Sequence, residues 1–218
     1  MPKVEILYKD ENILIVNKPQ GIECATRDKS SENTLSLEEI FAEYNTIVVH
    51  RLDRLTEGLV ILARNKDIAR KFERYFRLGK ISKYYKTYVY GKVLDSGIKT
   101  AYLKKDSNKS KVIISDSPKP EYKEIITEYY VDKQNDNYSL LDIKLHTGRT
   151  HQIRGYFSHI GHSVVGDSKY SKKEYKGEYK GYFLTAYKLE FNIDDELSYL
   201  NEISLEITPS WIKYTEKI

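Results

Sequence analysis

Two periodicities of hydrophobic and polar residues follow one another along the chain. A period near two, or a short continuous apolar run, is typical of strands and occurs at 4–8, 13–17, 58–63, 84–93, 123–131, 138–145, 182–191 and 203–207. Helical spacing, with apolar residues three and four positions apart, occurs at 35–44, 67–78 and 150–160. Thr34 or Ser36 could cap the first of these helices, while Gly79 and Gly161 are typical stops for the other two.

The order of these elements predicts the fold class. Strands predominate and helices are interspersed, so we expect an α+β fold with a mixed, largely antiparallel β-sheet flanked by helices. No internal repeat, Pro-rich or Gly/Ser-rich linker or long single-sign charge block marks a domain boundary. The length of 218 residues and the hydrophobic fraction of 40% suit one core, so we expect a single domain over 1–218.

Composition narrows the cellular setting. No apolar run is long enough to span a membrane, and charges interrupt 1–16, where a signal peptide would be apolar, so we expect a cytoplasmic protein without a membrane partner. The single cysteine, Cys24, excludes an intrachain disulfide framework. The net charge of +4 permits a polyanionic partner without requiring one. Many of the twenty tyrosines lie among lysines, notably at 169–182. This mixture could offer stacking faces beside phosphate contacts, or the tyrosines could simply be half-buried strand residues.

Candidate chemistry is concentrated first in 50–61, HRLDRLTEGLVI. Asp53 lies between Arg51 and Arg54 and is embedded among leucines. Burial would favour the neutral acid form of Asp53, whereas a nearby guanidinium would favour the charged carboxylate. An Asp53 that is paired with an arginine would therefore stay ionised. Such a group can attack an electrophile or abstract a proton, although an ordinary loop ion pair would produce the same spacing.

The second segment is 145–154, LHTGRTHQIR, followed by 159–170. A strand leads into a helix whose first turn presents Arg149, Thr150, His151 and Gln152, which are suitable donors for a phosphate or a base edge. Arg154 falls on the side of the helix away from Phe157 and could reach a carboxylate in another segment. A surface arginine without a specific partner fits the periodicity equally well.

Both segments resemble the hallmark motifs of the RluA-type pseudouridine synthases. The motif HRLDxxTSG matches 50–58, and TGRTHQIR matches 147–154. The resemblance continues at 17–21 (NKPQG), in the pattern KxYxxxVxG at 83–91, and in the glycine, histidine, aspartate and tyrosine of 161–170. In order and spacing it covers nearly the whole chain.

The resemblance implies isomerisation of a uridine within RNA. In this reaction the N-glycosidic bond is cut, and the uracil turns in its pocket and is rejoined through C5, with no cofactor and no metal. Asp53 matches the essential aspartate, which acts as a nucleophile at C1′ or as a base that forms a glycal. Tyr85 matches the tyrosine that packs against the uracil and could handle the C5 proton. Arg154 matches the basic residue that pairs with the aspartate.

The resemblance also implies RNA contacts, because a base inside a stack must be flipped out before it can react. Arg51 matches the arginine that occupies the gap left by the flipped base. Further predicted substrate contacts are His50, Arg149, His151 and Gln152. The lysines of 169–180 are a weaker candidate for contact with the RNA backbone. Ribosomal RNA is the expected partner and transfer RNA the alternative. We expect a monomer with no obligate protein partner and no S4 RNA-binding module.

The sequence departs from the family pattern at three places. Glu57 stands where serine is common, Gly155 stands where valine or alanine often follows the arginine, and Cys24-Ala25-Thr26 replaces a histidine-proline pair. None of these changes removes a predicted catalytic group.

Several other interpretations remain open from the residues. Asp53 and Glu57 could form the carboxylate pair of a glycosidase, or the chain could be a catalytically silent RNA-binding protein. Less favoured are a metal site built from His146, His151, His159 and His162, and a nucleophilic role for Cys24.

Overall fold

The computed structural model describes residues 3–26 and 34–217. Its strands are β1 (Glu5–Lys9), β2 (Ile13–Lys18), β3 (Ile47–Val48), β4 (Glu57–Ala63), β5 (Ile81–Tyr90), β6 (Gly97–Asp106), β7 (Lys111–Ser115), β8 (Lys123–Gln134), β9 (Tyr138–Leu145), β10 (Leu184–Phe191) and β11 (Leu205–Glu206). The α-helices are α1 (Leu37–Ile40), α2 (Lys66–Arg77) and α3 (Gln152–His159), and 3-10 turns occupy Ala42–Tyr44, Ser198–Glu202 and Ile212–Lys217. Within these described residues, no helix is long and apolar enough to cross a membrane.

The chain packs into two compact units, each built from two segments. The first unit comprises Met1–Ser82 and Ala186–Thr208, and the second comprises Lys83–Thr185 and Pro209–Ile218. The chain passes from one unit to the other at three points, of which one lies in β5, one lies in β10 and the third follows Thr208. The expected single domain over 1–218 stays a prediction.

Strands of the first unit follow the order β1, β2, β4 and β10, with β3 on β4 and β11 on β10. The strands predicted at 4–8 and 13–17 are confirmed as β1 and β2, which pair antiparallel, and in the turn between them Asp10 Oδ1 accepts the N–H groups of Asn12 and Ile13, both at 2.7 Å. Strand β2 is antiparallel to β4, from Ile13 opposite Ala63 to Lys18 opposite Gly58. Every residue of β4 is buried, as its continuous apolar run predicts.

Helix α2 covers this sheet and follows the sequence prediction closely. Asn65 caps its N-terminus by accepting the N–H groups of Asp67 and Ile68, and Gly79 ends it at φ +68°. Phe72 and Tyr75 belong to the same buried cluster as Ile15 of β2 and Leu59 of β4. The apolar stripe of the helix therefore supplies one side of the first unit's core.

The first predicted helix is shorter than expected. Ser36 and Glu39 form a reciprocal capping box at its start, so the choice of Ser36 as cap is confirmed. The α-helix ends at Ile40, however, and Ala42–Tyr44 is a 3-10 turn stopped by Asn45 at φ 52°. The apolar spacing over 35–44 is therefore divided between two short turns.

The strands of the second unit follow the order β5, β9, β8, β6 and β7, in which each neighbouring pair is antiparallel. Strands β8 and β9 confirm the predictions at 123–131 and 138–145. Strands β6 and β7 were not predicted, because four lysines and one aspartate among their residues obscure a buried alternation at Ala101 and Leu103 and at Val112 and Ile114. With helices packed on antiparallel strands, the predicted fold class is confirmed.

Helix α3 lies against β7, and Gly155 permits the close approach. A Cβ at position 155 would lie 2.4 Å from Val112 Cγ2 and 3.6 Å from Ile114 Cδ1. The valine or alanine typical of the family pattern would collide with this strand. The departure at Gly155 is thus matched by the side chain of Val112.

We expect Gly155→Ala to destabilise the fold by about 1–3 kcal/mol through overpacking, despite the better helix propensity of alanine. Val112→Ala would open space for the new methyl group. The double variant should be more stable than the sum of the single effects predicts, by about 1 kcal/mol, as measured by urea unfolding. Simple additivity of the two substitutions would contradict this packing argument.

Candidate active site

The loop that carries Asp53 is tied down on both sides of the aspartate. Thr56 N–H donates to the Asp53 carbonyl at 2.9 Å, which forms a tight turn just before β4. Gly21 N–H also donates to the carbonyl of Arg54, the residue after the aspartate, at 2.8 Å, and before the aspartate Leu52 N–H donates to Cys24 Sγ at 3.2 Å. The half-buried Asp53 is thus held on a loop braced by the segment after β2.

A buried lysine lies behind this loop. Lys18 is inaccessible to solvent, and its Nζ donates to the carbonyl oxygens of Ile22, Arg54 and Pro19 at 2.9, 3.1 and 3.2 Å. Burial lowers the pKa of Lys18 to about 8, although the charges of nearby acids, including Asp53 and Glu57, oppose the shift. Lys18 was not among the predicted site residues, and its only sequence signal was the NKPQG block.

His50 holds the start of the loop on β4. Its Nε2 accepts Ile61 N–H at 3.0 Å, and its ring lies 4.9 Å from that of Phe76. Because Nε2 accepts, the imidazole is neutral and carries its proton on Nδ1. Strand β3 pairs with β4 up to Val48, which lies opposite Leu62. Beyond that point the His50 side chain takes the next backbone N–H of β4, that of Ile61. This contact positions the loop, while the predicted RNA contact of His50 stays a prediction.

The departures at Glu57 and Cys24 also fall in this part of the first unit. Glu57 begins β4 and is only 7% exposed, and its charge acts on Lys18. Cys24 is buried, and burial raises the pKa of its thiol, which is the opposite of what a nucleophilic cysteine needs. Both residues therefore contribute to the packing and electrostatics of the loop.

In the second unit, Arg154 is rigidly fixed. Its Nε and Nη2 donate to the two carboxylate oxygens of Asp167 at 2.6 and 3.0 Å, and both side chains are buried. The guanidinium carbon also lies 4.5 Å from the ring centre of Tyr182 and 5.1 Å from that of Tyr170. Asp167 had been matched to the family pattern but given no role. The predicted pairing of Arg154 with Asp53 stays a prediction.

The turn before α3 is held by Gln152. Its Oε1 accepts from the Thr147 hydroxyl and from Arg149 N–H, and its Nε2 donates to the Ile126 carbonyl and the Thr127 hydroxyl. Gln152 is only 2% exposed, and these hydrogen bonds within the protein engage both ends of its side-chain amide. The helix begins at Gln152, two residues later than predicted.

The other predicted RNA contacts near α3 differ in exposure. His151 adopts a left-handed conformation at φ 53°, and its Nδ1 lies 2.8 Å from the Tyr170 hydroxyl. Arg149 is exposed, as is Arg51 in the first unit. The two arginines are therefore the predicted contacts whose side chains are most accessible to a polyanion.

Tyr85 lies in β5 and is buried to 7% exposure, opposite Ile143 of β9. Lys83 precedes it by two residues and so shares its face of the strand. Burial lowers the pKa of Lys83. The KxY pattern thus places a tyrosine and a poorly solvated amine on the same face of β5.

The four histidines considered as metal ligands do not form a cluster. His146 binds Glu128, His151 binds Tyr170, His159 binds Asp116 and His162 binds the Tyr90 carbonyl. Across residues 3–26 and 34–217, no group of three or more potential ligands could hold a metal ion. The four-histidine interpretation is therefore wrong.

Lys18 makes a prediction about pH and stability. Its folded pKa of about 8 lies below the ordinary 10.5, so between these values the unfolded state binds more protons and stability rises with pH. Between about pH 7.5 and about pH 9.5, the free energy of unfolding of wild type, measured with urea, should rise by about 2 kcal/mol more than that of Lys18→Met. Lys66→Met, at an exposed position, should follow wild type. An equal pH response in all three proteins would contradict a buried ammonium at Lys18.

The ion pair of Arg154 makes a second prediction. Asp167→Asn leaves a buried guanidinium without its counter-charge and should cost about 3 kcal/mol in the free energy of unfolding. Asp116→Asn is the matched control, because its pair with His159 is largely exposed and should contribute less than about 1 kcal/mol. Similar losses in the two variants would show that burial of the Arg154 pair has no special energetic weight.

Comparison with known proteins agrees with this architecture. A family model described as RNA pseudouridylate synthase matches residues 12–159, which include Asp53, Tyr85 and Arg154. Among solved structures, human RNA Pseudouridylate Synthase Domain Containing 4 superposes with a TM-score of 0.77 at 20% identity, covering 97% of this chain and 91% of that one. Human RNA Pseudouridylate Synthase Domain Containing 1 gives 0.72 at 23% identity, with 99% and 94% covered. These likenesses show the fold.

Curated relatives are more similar in sequence. An uncharacterized RNA pseudouridine synthase of Mycoplasma genitalium is 35% identical over 209 residues, which cover 87% of this chain and 64% of the relative. Ribosomal large subunit pseudouridine synthase C of Buchnera aphidicola is 35% identical over 203 residues, covering 91% of this chain and 61% of the relative. The chain thus spans less than two thirds of each relative's length. The family match and these identities together show that the chain belongs to the RNA pseudouridylate synthase family.

Proposed function

We propose that this protein isomerises specific uridines to pseudouridine in structured RNA, with Asp53 as the catalytic carboxylate. The observation that carries the proposal is the braced loop around Asp53, which lies within the residues matched by the family. A catalytic group must be held in a productive geometry, and here the backbone on both sides of the aspartate is fixed. A glycosidase built on Asp53 and Glu57 would leave the matched block at 147–154 without a purpose.

The proposed reaction needs no redox partner. The bond between N1 and C1′ breaks, the uracil turns, and a bond between C5 and C1′ forms; C5 loses a proton and N1 gains one. Asp53 either attacks C1′ or removes a proton to give a glycal. Tyr85 would pack against the uracil and take part in moving the C5 proton.

Arg154 would keep the carboxylate of Asp53 ionised. Its fixed position supports this role, because the pair with Asp167 and the rings of Tyr170 and Tyr182 remove most of its freedom. A guanidinium also stays protonated at any physiological pH. Asp167 would then act as a positioning residue for Arg154.

The RNA contacts divide into direct and indirect ones. Arg51 would fill the gap left by the flipped base, and the exposed Arg149 would contact RNA phosphates. His50, His151 and Gln152 would act mainly by holding the two loops, because each is engaged within the protein.

Ribosomal RNA is the proposed substrate and transfer RNA the alternative. The name of the Buchnera aphidicola relative supports the first choice. We further propose that the protein acts in the cytoplasm as a monomer, a setting in which the single, buried Cys24 stays reduced.

The test is pseudouridine mapping by carbodiimide treatment and primer extension. Total RNA would come from cells lacking the gene, complemented with wild type, Asp53→Asn or Asp67→Asn. Wild type and Asp67→Asn, which changes an exposed residue of α2, should restore the missing site. Asp53→Asn should reduce its formation rate roughly 10³-fold or more, because removal of a group central to the chemistry has effects of this order.

The position of the restored site would name the RNA and so decide between ribosomal and transfer substrates. A map that is unchanged on deletion would sink the synthase proposal and favour a catalytically silent RNA-binding protein.

A further inference from the structure

A cavity of about 560 Å³ lies in the second unit, beside the Lys- and Tyr-rich segment that follows Asp167. Its walls are Tyr138, Glu174, Tyr175, Lys176, Gly177, Glu178 and Tyr214. We call it the tyrosine cavity. Its volume falls within the range of about 300–1,000 Å³ that is usual for small-ligand sites. Neither the catalytic proposal nor the family motifs assign it a role.

The aromatic walls of the tyrosine cavity are backed by other rings. Tyr138 stacks on Tyr88 with ring centres 5.4 Å apart and planes inclined by 12°. Tyr214 lies 5.5 Å from Tyr179, which in turn contacts Phe183 at 5.0 Å. Aromatic side chains braced in this way lose little conformational entropy when a flat ligand binds.

Gly177 leaves the room that the Tyr175 ring occupies. A Cβ at position 177 would lie 2.0 Å from the Tyr175 hydroxyl oxygen, so only glycine allows the ring to lie where it does. The ring also packs edge-on against Phe183 at 5.0 Å. The glycine at 177 therefore shapes one wall of the cavity.

The charges around the cavity are of two kinds. Glu174 and Glu178, both solvent-exposed, are the acidic residues among those that line it. Lysines surround it: Lys176 lines it, and Lys213 Nζ lies 5.1 Å from the ring centre of Tyr214. Lys173 Nζ lies 5.2 Å from the ring of Tyr90, behind Tyr138. A ligand that suits this site has a flat ring, paired N–H donors and negative charge outside the ring.

A guanine nucleotide has these three properties. A carboxylate accepts two parallel hydrogen bonds, and the Watson–Crick edge of guanine offers two adjacent N–H donors, N1 and N2. Uracil offers one N–H between two carbonyls, which a carboxylate repels. Unpaired RNA bases commonly stack on aromatic side chains, and lysines neutralise the adjoining phosphates.

We propose that the tyrosine cavity binds an unpaired guanine nucleotide of the RNA substrate, at a site separate from the residues that carry the reaction. The tyrosines supply stacking faces, Glu174 or Glu178 reads the guanine edge, and the lysines hold the flanking phosphates. The inference rests on the proposed function only in taking RNA as the ligand. It gives the protein a means of choosing among RNA sites by a base other than the target uridine.

The test is fluorescence anisotropy of the full chain with three labelled single-stranded RNA hexamers. One is all uridine, and the other two carry a single central guanosine or adenosine. Wild type should bind the guanosine hexamer at least fivefold more tightly than either of the others. Equal affinity for all three would overturn the proposal, because lysines alone cannot distinguish bases.

Three variants locate the discrimination. Tyr214→Leu removes a stacking face, and Glu174→Gln combined with Glu178→Gln removes the acceptor charges; both should reduce the guanosine preference to less than twofold. Tyr214→Phe keeps the ring and should retain the preference. Emission of Trp211, the single tryptophan, reports whether each variant is folded, because its buried ring lies 5.5 Å from Phe183. If the carboxamide variant folds and keeps the full preference, the proposed guanine readout is wrong.

Pseudouridine formation is measured separately, so the two proposals can fail independently. A protein that prefers the guanosine hexamer but forms no pseudouridine would contradict the proposed function and leave the cavity assignment standing. A protein that forms pseudouridine but binds all three hexamers equally would support the proposed function and contradict the cavity assignment.

Discussion

The arrangement of the first unit depends on a buried ammonium group. Lys18 ends β2 and directs its three N–H groups at three backbone carbonyls, including that of Arg54, the residue after Asp53. A buried charge is costly unless its hydrogen bonds are satisfied. The chain meets this requirement by wrapping 19–22 around the ammonium and bringing the Asp53 loop against it. The NKPQG block therefore supports the loop that carries Asp53.

The second unit uses the same solution with a different cation. Arg154 is buried, and Asp167 together with two tyrosine rings satisfies its guanidinium. Asp167 Oδ1 also accepts the backbone N–H groups of Lys169 and Tyr170, so one carboxylate fixes both the arginine and the chain that leads into the tyrosine cavity. Buried cations of this kind add little net stability, but they define geometry sharply because an unpaired alternative is costly.

Much of the fold follows from sequence periodicity, and the exceptions have physical causes. Helix α2 and strands β4 and β9 were predicted almost to their ends, because their apolar residues face one core and their caps are local. Strands β6 and β7 were missed because their exposed faces carry lysines that mask the alternation. At the candidate site, motifs predict roles for Asp53 and Arg154, which stay predictions. The contact of Lys18 with the Arg54 carbonyl and the pair of Asp167 with Arg154 could not be predicted, since each joins segments that only the fold brings together.

The contacts of the predicted site residues separate those that hold the loops from those that are accessible to RNA. Gln152 and His50 resemble ligand-binding residues in sequence because they are polar and lie in the motifs that match the family, yet they form hydrogen bonds with Thr127 and Ile61 of the protein itself. Arg51 follows His50 directly, Arg149 lies three residues before Gln152, and both arginines are exposed. Under the proposed function, these exposed arginines would contact RNA while the loop around Asp53 is held in place by its backbone hydrogen bonds. Specificity is then best sought away from these shared motifs, in segments such as the tyrosine cavity, where the chain carries side chains that the family pattern does not dictate.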